Sequence, residues 1–188
     1  EFTFGLYDSL GNPWDIETMG FPTFNDFGAQ SKNVEDARIS GAEISIIGTG
    51  NIGKIGLNVL AGYTFLNPVS LNADSTYLTT FSDTASSMLK YRSRHMAKVD
   101  VEFTYEKFAF GVSSRYNSFM ENIDQTFVDP ILGNILLPGY TDYRDARRIG
   151  DVILDVRLSY RFIDEHKIAV LMNNVLNREY SNRPGNVL

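Results

Sequence analysis

The chain has 188 residues, no cysteine and a formal net charge of −6 at pH 7. The lack of cysteine excludes disulfides and thiolate metal sites, and the negative charge argues against nucleic acid as a partner, because phosphate backbones require concentrated Lys and Arg. No apolar run approaches the roughly 18 residues of a transmembrane helix. The sequence starts at Glu1 without a signal peptide, which indicates a mature product or a piece of a longer protein.

Alternation of apolar and polar residues, the mark of a β-strand, begins at the first residue. It predicts a first strand from Glu1 to Asp8. Residues 9–33 are rich in Gly, Pro, Asn and Asp and are expected to form a long loop. A second strand is predicted at about Val34 to Gly48, with a bulge near Ser40-Gly41 because Ile39 has the wrong parity for the apolar face.

The middle of the chain predicts two more strands on either side of a second long loop. The third strand runs from Ile55 to Phe65, and residues 67–87 form the loop, which is full of Ser, Thr, Asp and Asn. The fourth strand starts near Leu89 and ends at Glu106. Its apolar face consists of Ala97, Val99, Val101, Phe103 and Tyr105, and Lys, Asp and Glu occupy the other face.

The last third of the sequence repeats this arrangement. A tight turn leads into a fifth strand from Phe108 to Asn117, and a loop follows over residues 120–148. The sixth strand runs from Val152 to Phe162. The seventh runs from Lys167 to about Asn177 and alternates poorly, and residues 178–188 look like another loop.

Short turns therefore lie at one end of the strands and long loops at the other, as in outer-membrane barrels. Aromatic residues form a band at each end, as interfacial girdles do: Tyr105, Phe108, Tyr160 and Phe162 at the turns, and Phe65, Tyr91 and Tyr116 at the loops. The predicted fold is an all-β, transmembrane antiparallel β-barrel whose apolar face contacts outer-membrane lipid. Its charged face is expected to line the lumen, through Lys98, Asp100, Glu102, Arg115, Asp155 and Arg157.

Two segments carry a resemblance to a known family. The sequence from Met172 to Tyr180, MNNVLNREY, resembles the Asn-Leu-x-Asn-x-x-Tyr signature of the penultimate strand of TonB-dependent outer-membrane receptors, and Arg183-Pro184-Gly185 is similar to the loop that follows it. The sequence from Val34 to Ile44 resembles the stretch where a basic residue, a Gly and a Glu precede a strand in that family, and Tyr91 to His95 also fits.

The resemblance implies that residues 1–188 are the C-terminal portion of a receptor barrel of 22 strands closed by a plug. About seven strands would belong to this chain, and the plug domain and the last strand would be absent from it. The implied function is import of a scarce nutrient, such as siderophore-bound iron or another large solute, across the outer membrane of a Gram-negative bacterium. TonB would supply the energy through the plug, and a surface lipoprotein or another assembly partner is a further candidate contact.

Two other functions fit the same residues. A receptor-like barrel could serve as a structural partner in an outer-membrane assembly, and an intact TonB box upstream would distinguish the transporter from it. A soluble β-sandwich binding module would use the apolar rows as its core. Enzymatic activity has little support, because the only histidines are His95 and His166, and no cofactor or metal site is predicted.

One loop sequence stands out as a candidate ligand site. The run from Tyr140 to Arg148 concentrates aromatic and guanidinium groups at the loop end. Arg presents a planar fork to carboxylates, so an anionic ligand such as a siderophore is a candidate. The residues expected to bind it are Tyr140, Tyr143, Arg144, Arg147 and Arg148. The alternative is a solvated loop with internal ion pairs.

Overall fold

The computed structural model describes residues 2–31, 36–71, 87–129, 136–163 and 166–180. The elements in chain order are β1 (Phe2–Leu6), α1 (Ile16–Met19), β2 (Phe27–Ser31), β3 (Ala37–Ile52), β4 (Ile55–Ser70), β5 (His95–Tyr105), β6 (Phe108–Asn117), α2 (Tyr140–Asp145), β7 (Asp151–Ile163) and β8 (His166–Met172). Short 3₁₀ turns occupy Phe24–Asp26 and Gln125–Phe127. Neither helix in the described ranges is long and apolar enough to cross a membrane.

The strands form two antiparallel sheets. β1 pairs with β2, and β3 to β8 form a six-stranded sheet in sequence order. Each strand of the larger sheet is a neighbour of the next in the chain, so the described part is an up-and-down meander, the connectivity of a membrane barrel wall. The sheet does not close on itself within these residues: β3 and β8 are its edges. The all-β antiparallel fold is thus confirmed.

The turns at one end of this sheet are tight. Ile52 pairs with Ile55 across a two-residue connection, and Gly53 has φ +62 at its first central position, which is the arrangement of a type II′ hairpin. Tyr105 pairs with Phe108 in the same way, with Glu106 at φ 52. The long connections over residues 71–94 and 118–150 lie at the opposite end. The predicted asymmetry of short turns and long loops is confirmed.

Several details differ from the sequence-based expectation, among them the end of the third predicted strand, because β4 extends to Ser70, into the predicted loop over 67–87. The predicted loop over 9–33 contains α1 and β2, and the loop over 120–148 contains α2. These elements are four to six residues long, and segments this short leave little periodicity to read. The fourth strand starts at His95 and not near Leu89. The seventh predicted strand ends at Met172.

The bulge predicted near Ser40-Gly41 is wrong. β3 and β4 pair without interruption from Ala37↔Ser70 to Ile52↔Ile55, so Ile39 lies on the same face as Glu43. The irregularity in the sheet is instead between Arg161 and Ile163, where the register with β8 shifts. From Lys167 to Met172, β8 pairs with β7 without interruption, so the poor alternation of this strand is not caused by that shift.

Several predicted features fall outside the described residues. They are Val34 and Glu35 at the start of the second predicted strand, most of the loop over 67–87, the turn at Asp164-Glu165, and the segment Arg183-Pro184-Gly185.

Candidate functional site: the charged face and the loop end

The register of the larger sheet gives it one apolar and one charged face. On the apolar face, cross-strand rows join the residues predicted to contact lipid, for example Val59, Val101, Val112 and Val156 on β4 to β7. Many side chains on the apolar face are exposed. For example, Ile44 on β3 and Val170 on β8 are each 62% exposed. No second sheet covers this face within the described ranges, although a β-sandwich would require one.

Aromatic rings mark the turn end and loop end of the apolar face. At the turn end, the rings of Phe108 and Tyr160 lie 4.7 Å apart between centroids. At the loop end, His95 lies 5.3 Å from the ring of Phe65, and its Nδ1 is hydrogen-bonded to the hydroxyl of Tyr63 at 2.7 Å. Tyr91, predicted for this band, belongs instead to a cluster with Lys90 and Asp124.

All six charges predicted to line the lumen lie on the opposite face. Lys98 is in register with Arg115, and Asp100 and Asp155 flank Ser113 in one row. The next row places Glu102, Gly111 and Arg157 side by side on β5, β6 and β7. Whether this face lines a lumen stays a prediction, but the grouping of the charges follows directly from the register.

Arg157 is the centre of an ion-pair network on this face. Its Nη1 and Nη2 donate to the two carboxylate oxygens of Asp100 at 2.7 and 2.8 Å, and its Nε donates to Glu102 at 3.2 Å. These side chains are about one-third exposed, at 28 to 33%. Bidentate Arg–carboxylate pairs are among the stronger ion pairs, so this network fixes β7 relative to β5.

Gly111 makes that network sterically feasible. It is buried on β6, between the two strands that the network joins. A Cβ at this position would lie 2.3 Å from Nε of Arg157 and 2.5 Å from its Cζ. The guanidinium therefore lies across the glycine backbone, a role that the sequence pattern alone did not identify.

The second ion pair on the charged face is looser. Nη2 of Arg115 lies 3.2 Å from Oδ2 of Asp155, and 48% of the Arg115 side chain is exposed. The other oxygen of Asp155 accepts a hydrogen bond from the backbone N–H of Asn174 at 2.8 Å. Asp155 thus connects β6 to the segment after β8, which contains the Asn-rich sequence of the family signature.

A small buried core lies at the loop end of the sheet. Its apolar members are Met88, Leu89, Ile123 and Tyr140. The side chains of Lys90 and Asp124 form a buried ion pair, exposed by only 4% and 3%. Buried ion pairs in a dry surrounding are costly to break by removing one partner, so this pair ties the segment before β5 to the segment after β6.

Tyr91 belongs to the same cluster. Its hydroxyl donates to Asp124 Oδ2, and its backbone N–H donates to the carbonyl of Asn122 at 2.9 Å. Tyr91 has φ 58, in the left-handed region. Burial, followed by the hydrogen bond to Asp124, raises the pKa of the Tyr91 phenol well above its usual value. The position predicted for an interfacial ring is therefore an anchor between two loops.

The candidate ligand residues are brought together around α2, where most of them have partners within the protein. Tyr140 is 2% exposed and its ring stacks on Tyr143 at 5.9 Å, and burial raises the pKa of the Tyr140 phenol. Arg144 lies 4.4 Å from the ring centroid of Phe119 and donates to the carbonyl of Met120 at 3.0 Å.

Arg147 and Arg148 differ sharply in their surroundings. Arg147 lies 4.2 Å from the ring centroid of Tyr143 and donates to the carbonyl of Glu179 at 3.0 Å. It also lies 3.6 Å from Asp151, with 18% of its side chain exposed. Arg148 is 74% exposed and contacts Asp145 at 2.7 Å. Ligand binding by this run stays a prediction, and Arg148 is its most accessible guanidinium.

Within the described ranges no three His, Cys, Asp or Glu side chains are grouped as metal ligands.

Sequence reasoning did not identify three residues that anchor the loops, namely Arg94, Asn122 and Ser118. The Ser118 hydroxyl accepts a hydrogen bond from the backbone N–H of His95 at 3.0 Å. Arg94 donates to Glu121 at 2.7 Å and to Asn67 at 2.8 Å, and Asn122 donates to the carbonyl of Met88 at 2.6 Å. The sequence signal for Arg94 was its place in the segment from Tyr91 to His95, which contains two Arg residues. Its partners Glu121 and Asn67 could not be read from the sequence, because each is 27 residues away along the chain.

A meander with an apolar face, a charged face, short turns and long loops defines the wall of an outer-membrane β-barrel. The chain matches the family described as TonB dependent receptor-like, beta-barrel over residues 7–175, and it belongs to that family. No curated protein and no solved structure matches it. The match to this family confirms the resemblance seen in the sequence. The family is one of outer-membrane transport receptors and not of enzymes.

Proposed function

We propose that the chain is the C-terminal part of the barrel of a receptor that imports a scarce nutrient across the outer membrane, with energy from TonB. The observation that carries this proposal is the two-faced six-stranded meander within a match to the receptor barrel family over residues 7–175. The plug domain and the final strand would belong to the longer parent protein. The parent's nutrient would be siderophore-bound iron or another large solute, in a Gram-negative bacterium.

The loop end supports a role in recognition. Buried contacts such as Lys90–Asp124 give the loops a fixed base, and sites held on rigid supports bind with less ordering cost. Among the candidate ligand residues, Tyr140, Tyr143, Arg144 and Arg147 build the loop, and Arg148 remains exposed at 74%. We therefore propose Arg148 as the contact for an anionic ligand, with the other four positioning it.

The test begins with the parent polypeptide in its own host. Its denatured mass should be several times the 21.2 kDa of this chain, and it should fractionate with detergent-solubilised outer membranes. Uptake of a panel of labelled iron–siderophore complexes, measured with and without TonB, tests transport. Recovery of a 21.2 kDa product that stays in the aqueous fraction would overturn the receptor proposal.

Arg148 and Arg147 provide a matched pair for the ligand site. Arg148→Gln should lower the affinity for an imported anionic complex and leave barrel stability unchanged. Arg147→Gln should loosen the loop, seen as faster amide exchange over 140–150. Unchanged affinity in Arg148→Gln, for a complex that the receptor does import, would exclude Arg148 as the contact.

A further inference from the structure

The first 31 residues hold most of the net charge of the chain. They contain no Lys or Arg and five acidic residues, Glu1, Asp8, Asp15, Glu17 and Asp26. Residues 32–188 contain the other 18 acidic residues and all 17 basic ones, so they contribute only −1 to the net charge of −6. The hairpin of β1 and β2, with α1 between its strands, is therefore a strongly acidic unit, called the acidic hairpin below (residues 2–31).

Asp8 keeps its negative charge through bonds to neutral donors. Its carboxylate accepts from the backbone N–H groups of Leu10 and Asn12, both at 2.8 Å, and from the side-chain amide of Asn12 at 2.9 Å. The bonds from Asn12 hold the pKa of Asp8 below its usual value, because hydrogen bonds to a carboxylate favour its ionised form. The charge is thus held in place without a cation beside it.

The other carboxylates of the acidic hairpin have no cation beside them either. Asp15 accepts from the hydroxyl of Thr18 at 2.9 Å, and Asp26 accepts from the hydroxyl of Thr23 at 2.8 Å. Glu17 is exposed on α1. Within the described ranges, every salt bridge joins residues beyond position 89. The negative field of the hairpin is therefore left to attract a cationic partner.

Large apolar side chains are exposed on the same unit. Phe21 is 90% exposed and Leu10 is 84% exposed, and Ile16 and Met19 on α1 are exposed as well. The indole N–H of Trp14 donates to the carbonyl of Gly20 at 3.0 Å, which fixes the chain next to Phe21. Aromatic residues and Met are enriched where proteins contact each other, so this surface has the composition of a protein interface.

The acidic and apolar groups together decide which class of partner fits. A metal ion would leave the apolar side chains uncovered, and its direct binding to Asp8 would displace the N–H donors from the carboxylate oxygens. An anionic lipid surface would repel the acidic side chains. A polypeptide segment with Lys or Arg beside apolar side chains matches both properties, and its cations can also lie over the ring of Phe21.

We propose that the acidic hairpin docks a cationic, amphipathic segment of a partner polypeptide. The larger sheet begins with Ala37 at its loop end, and the chain from Ser31 to Ala37 spans at most about 22 Å. Ser31 therefore lies within that distance of the loop end. This inference rests on the proposed function, because it takes the loop end as the outer side of the membrane, where the partner meets the receptor.

The test uses the full-length receptor in nanodiscs of zwitterionic phosphatidylcholine, with empty nanodiscs as the blank. Three labelled peptides of equal length are the probes: a helical peptide of Lys and Leu with one apolar face, a version with Ser in place of Leu, and a version with Glu in place of Lys. We expect the Lys–Leu peptide to bind most tightly and the Glu–Leu peptide not to bind. Raising NaCl from about 50 to 500 mM should weaken the binding, because salt screens exposed charges.

Two matched pairs of variants locate the site. Glu17→Lys should weaken binding of the Lys–Leu peptide about threefold or more. Glu106→Lys makes the same charge change in a tight turn at the opposite end of the larger sheet and should have no effect. Phe21→Ser should weaken binding about fivefold or more. Ile149→Ser removes an apolar side chain that is also exposed, at 84%, but lies outside the hairpin, and should have no effect.

Several results would overturn the proposal. Equal binding of the Lys–Leu and Lys–Ser peptides would mean that the hairpin attracts any cation and docks no amphipathic segment. Wild-type affinity in both Glu17→Lys and Phe21→Ser, or binding that salt does not weaken, would contradict it as well. Any of these results in a receptor that still imports its nutrient would leave the proposed function intact. The expected binding in a receptor that imports nothing would support this inference and count against the proposed function.

Discussion

Arg157 on β7 forms a bidentate salt bridge with Asp100 on β5, at 2.7 and 2.8 Å, although β6 lies between the two strands. The guanidinium crosses β6 at Gly111, where a Cβ would lie 2.3 Å from Nε. The three strands are thus held by a side-chain connection in addition to their backbone ladders. Such a bridge resists shearing of β5 against β7, because the fork fits the carboxylate in only one geometry.

Replacing Gly111 by Ala should displace the Arg157 side chain and break its contacts with Asp100 and Glu102. We expect a loss of about 1.5 to 3 kcal/mol in the free energy of unfolding, the usual range for hydrogen bonds to charged groups. Urea unfolding of the receptor in lipid vesicles measures it. Gly48→Ala is the matched control, because a Cβ there would meet nothing within 4 Å. Equal stability of the two variants would mean that Arg157 does not depend on Gly111.

The two faces of the sheet predict opposite responses to one substitution at neighbouring positions. Val112→Arg on the apolar face should cost about 2 to 4 kcal/mol if the residue lies near the middle of the bilayer, and Val101→Arg and Leu154→Arg should behave alike. Ser113→Arg should cost far less, because Ser113 lies between Asp100 and Asp155. Vesicle unfolding compares them. Similar costs on both faces would contradict the lipid-facing assignment.

The charged face also predicts the effect of removing the Asp100 charge. Asp100→Asn would be expected to cost little if Asp100 were simply wetted by the lumen. In the structure, it would leave Arg157 with Glu102 as its remaining carboxylate contact. We therefore expect a measurable loss of stability, smaller than that of Val101→Arg.

The buried Lys90–Asp124 pair predicts a strong local effect. Asp124→Asn would remove the Asp124 charge from its ion pair with the buried Lys90 ammonium, and removing one partner of a buried pair typically costs about 3 to 5 kcal/mol. Amide exchange over residues 87–94 and 118–124 should accelerate, with little change in β6. The triple replacement Lys90→Met, Tyr91→Phe and Asp124→Leu also removes the hydroxyl that donates to Asp124. It should recover most of the protection, since apolar groups often replace buried ion pairs without loss. Unchanged exchange in Asp124→Asn would contradict the anchoring role.

Tyr91 predicts a dependence on alkaline pH. Its folded-state pKa is raised by burial and by the hydrogen bond to Asp124, so its contribution to stability is complete below the unfolded pKa of about 10 and decreases as the pH rises above that value. Wild-type protein should lose more stability than Tyr91→Phe between about pH 10 and pH 12. Tyr180→Phe, at an exposed position, should track the wild type. Parallel curves for wild type and Tyr91→Phe would contradict the prediction.

The sequence by itself determined that the six strands of the larger sheet form, which of their faces is apolar, and the ends at which turns and loops lie, although it missed β2. These features depend on residues close together in the chain: alternation with a period of two sets the faces, and Gly-rich or Asn-rich segments set the connections. It also contained a resemblance to the receptor family, and the match over residues 7–175 confirms that the chain belongs to this family.

Only the tertiary structure decided which charges meet. Asp100 and Arg157 are 57 residues apart and Lys90 and Asp124 are 34 apart, and their pairing depends on the register of strands and the path of loops. A shift of one residue would move every side chain to the other face. For the same reason, the role of Gly111, the anchoring by Tyr91 and the opposition of Lys98 and Arg115 could be recognised only after the strands were aligned.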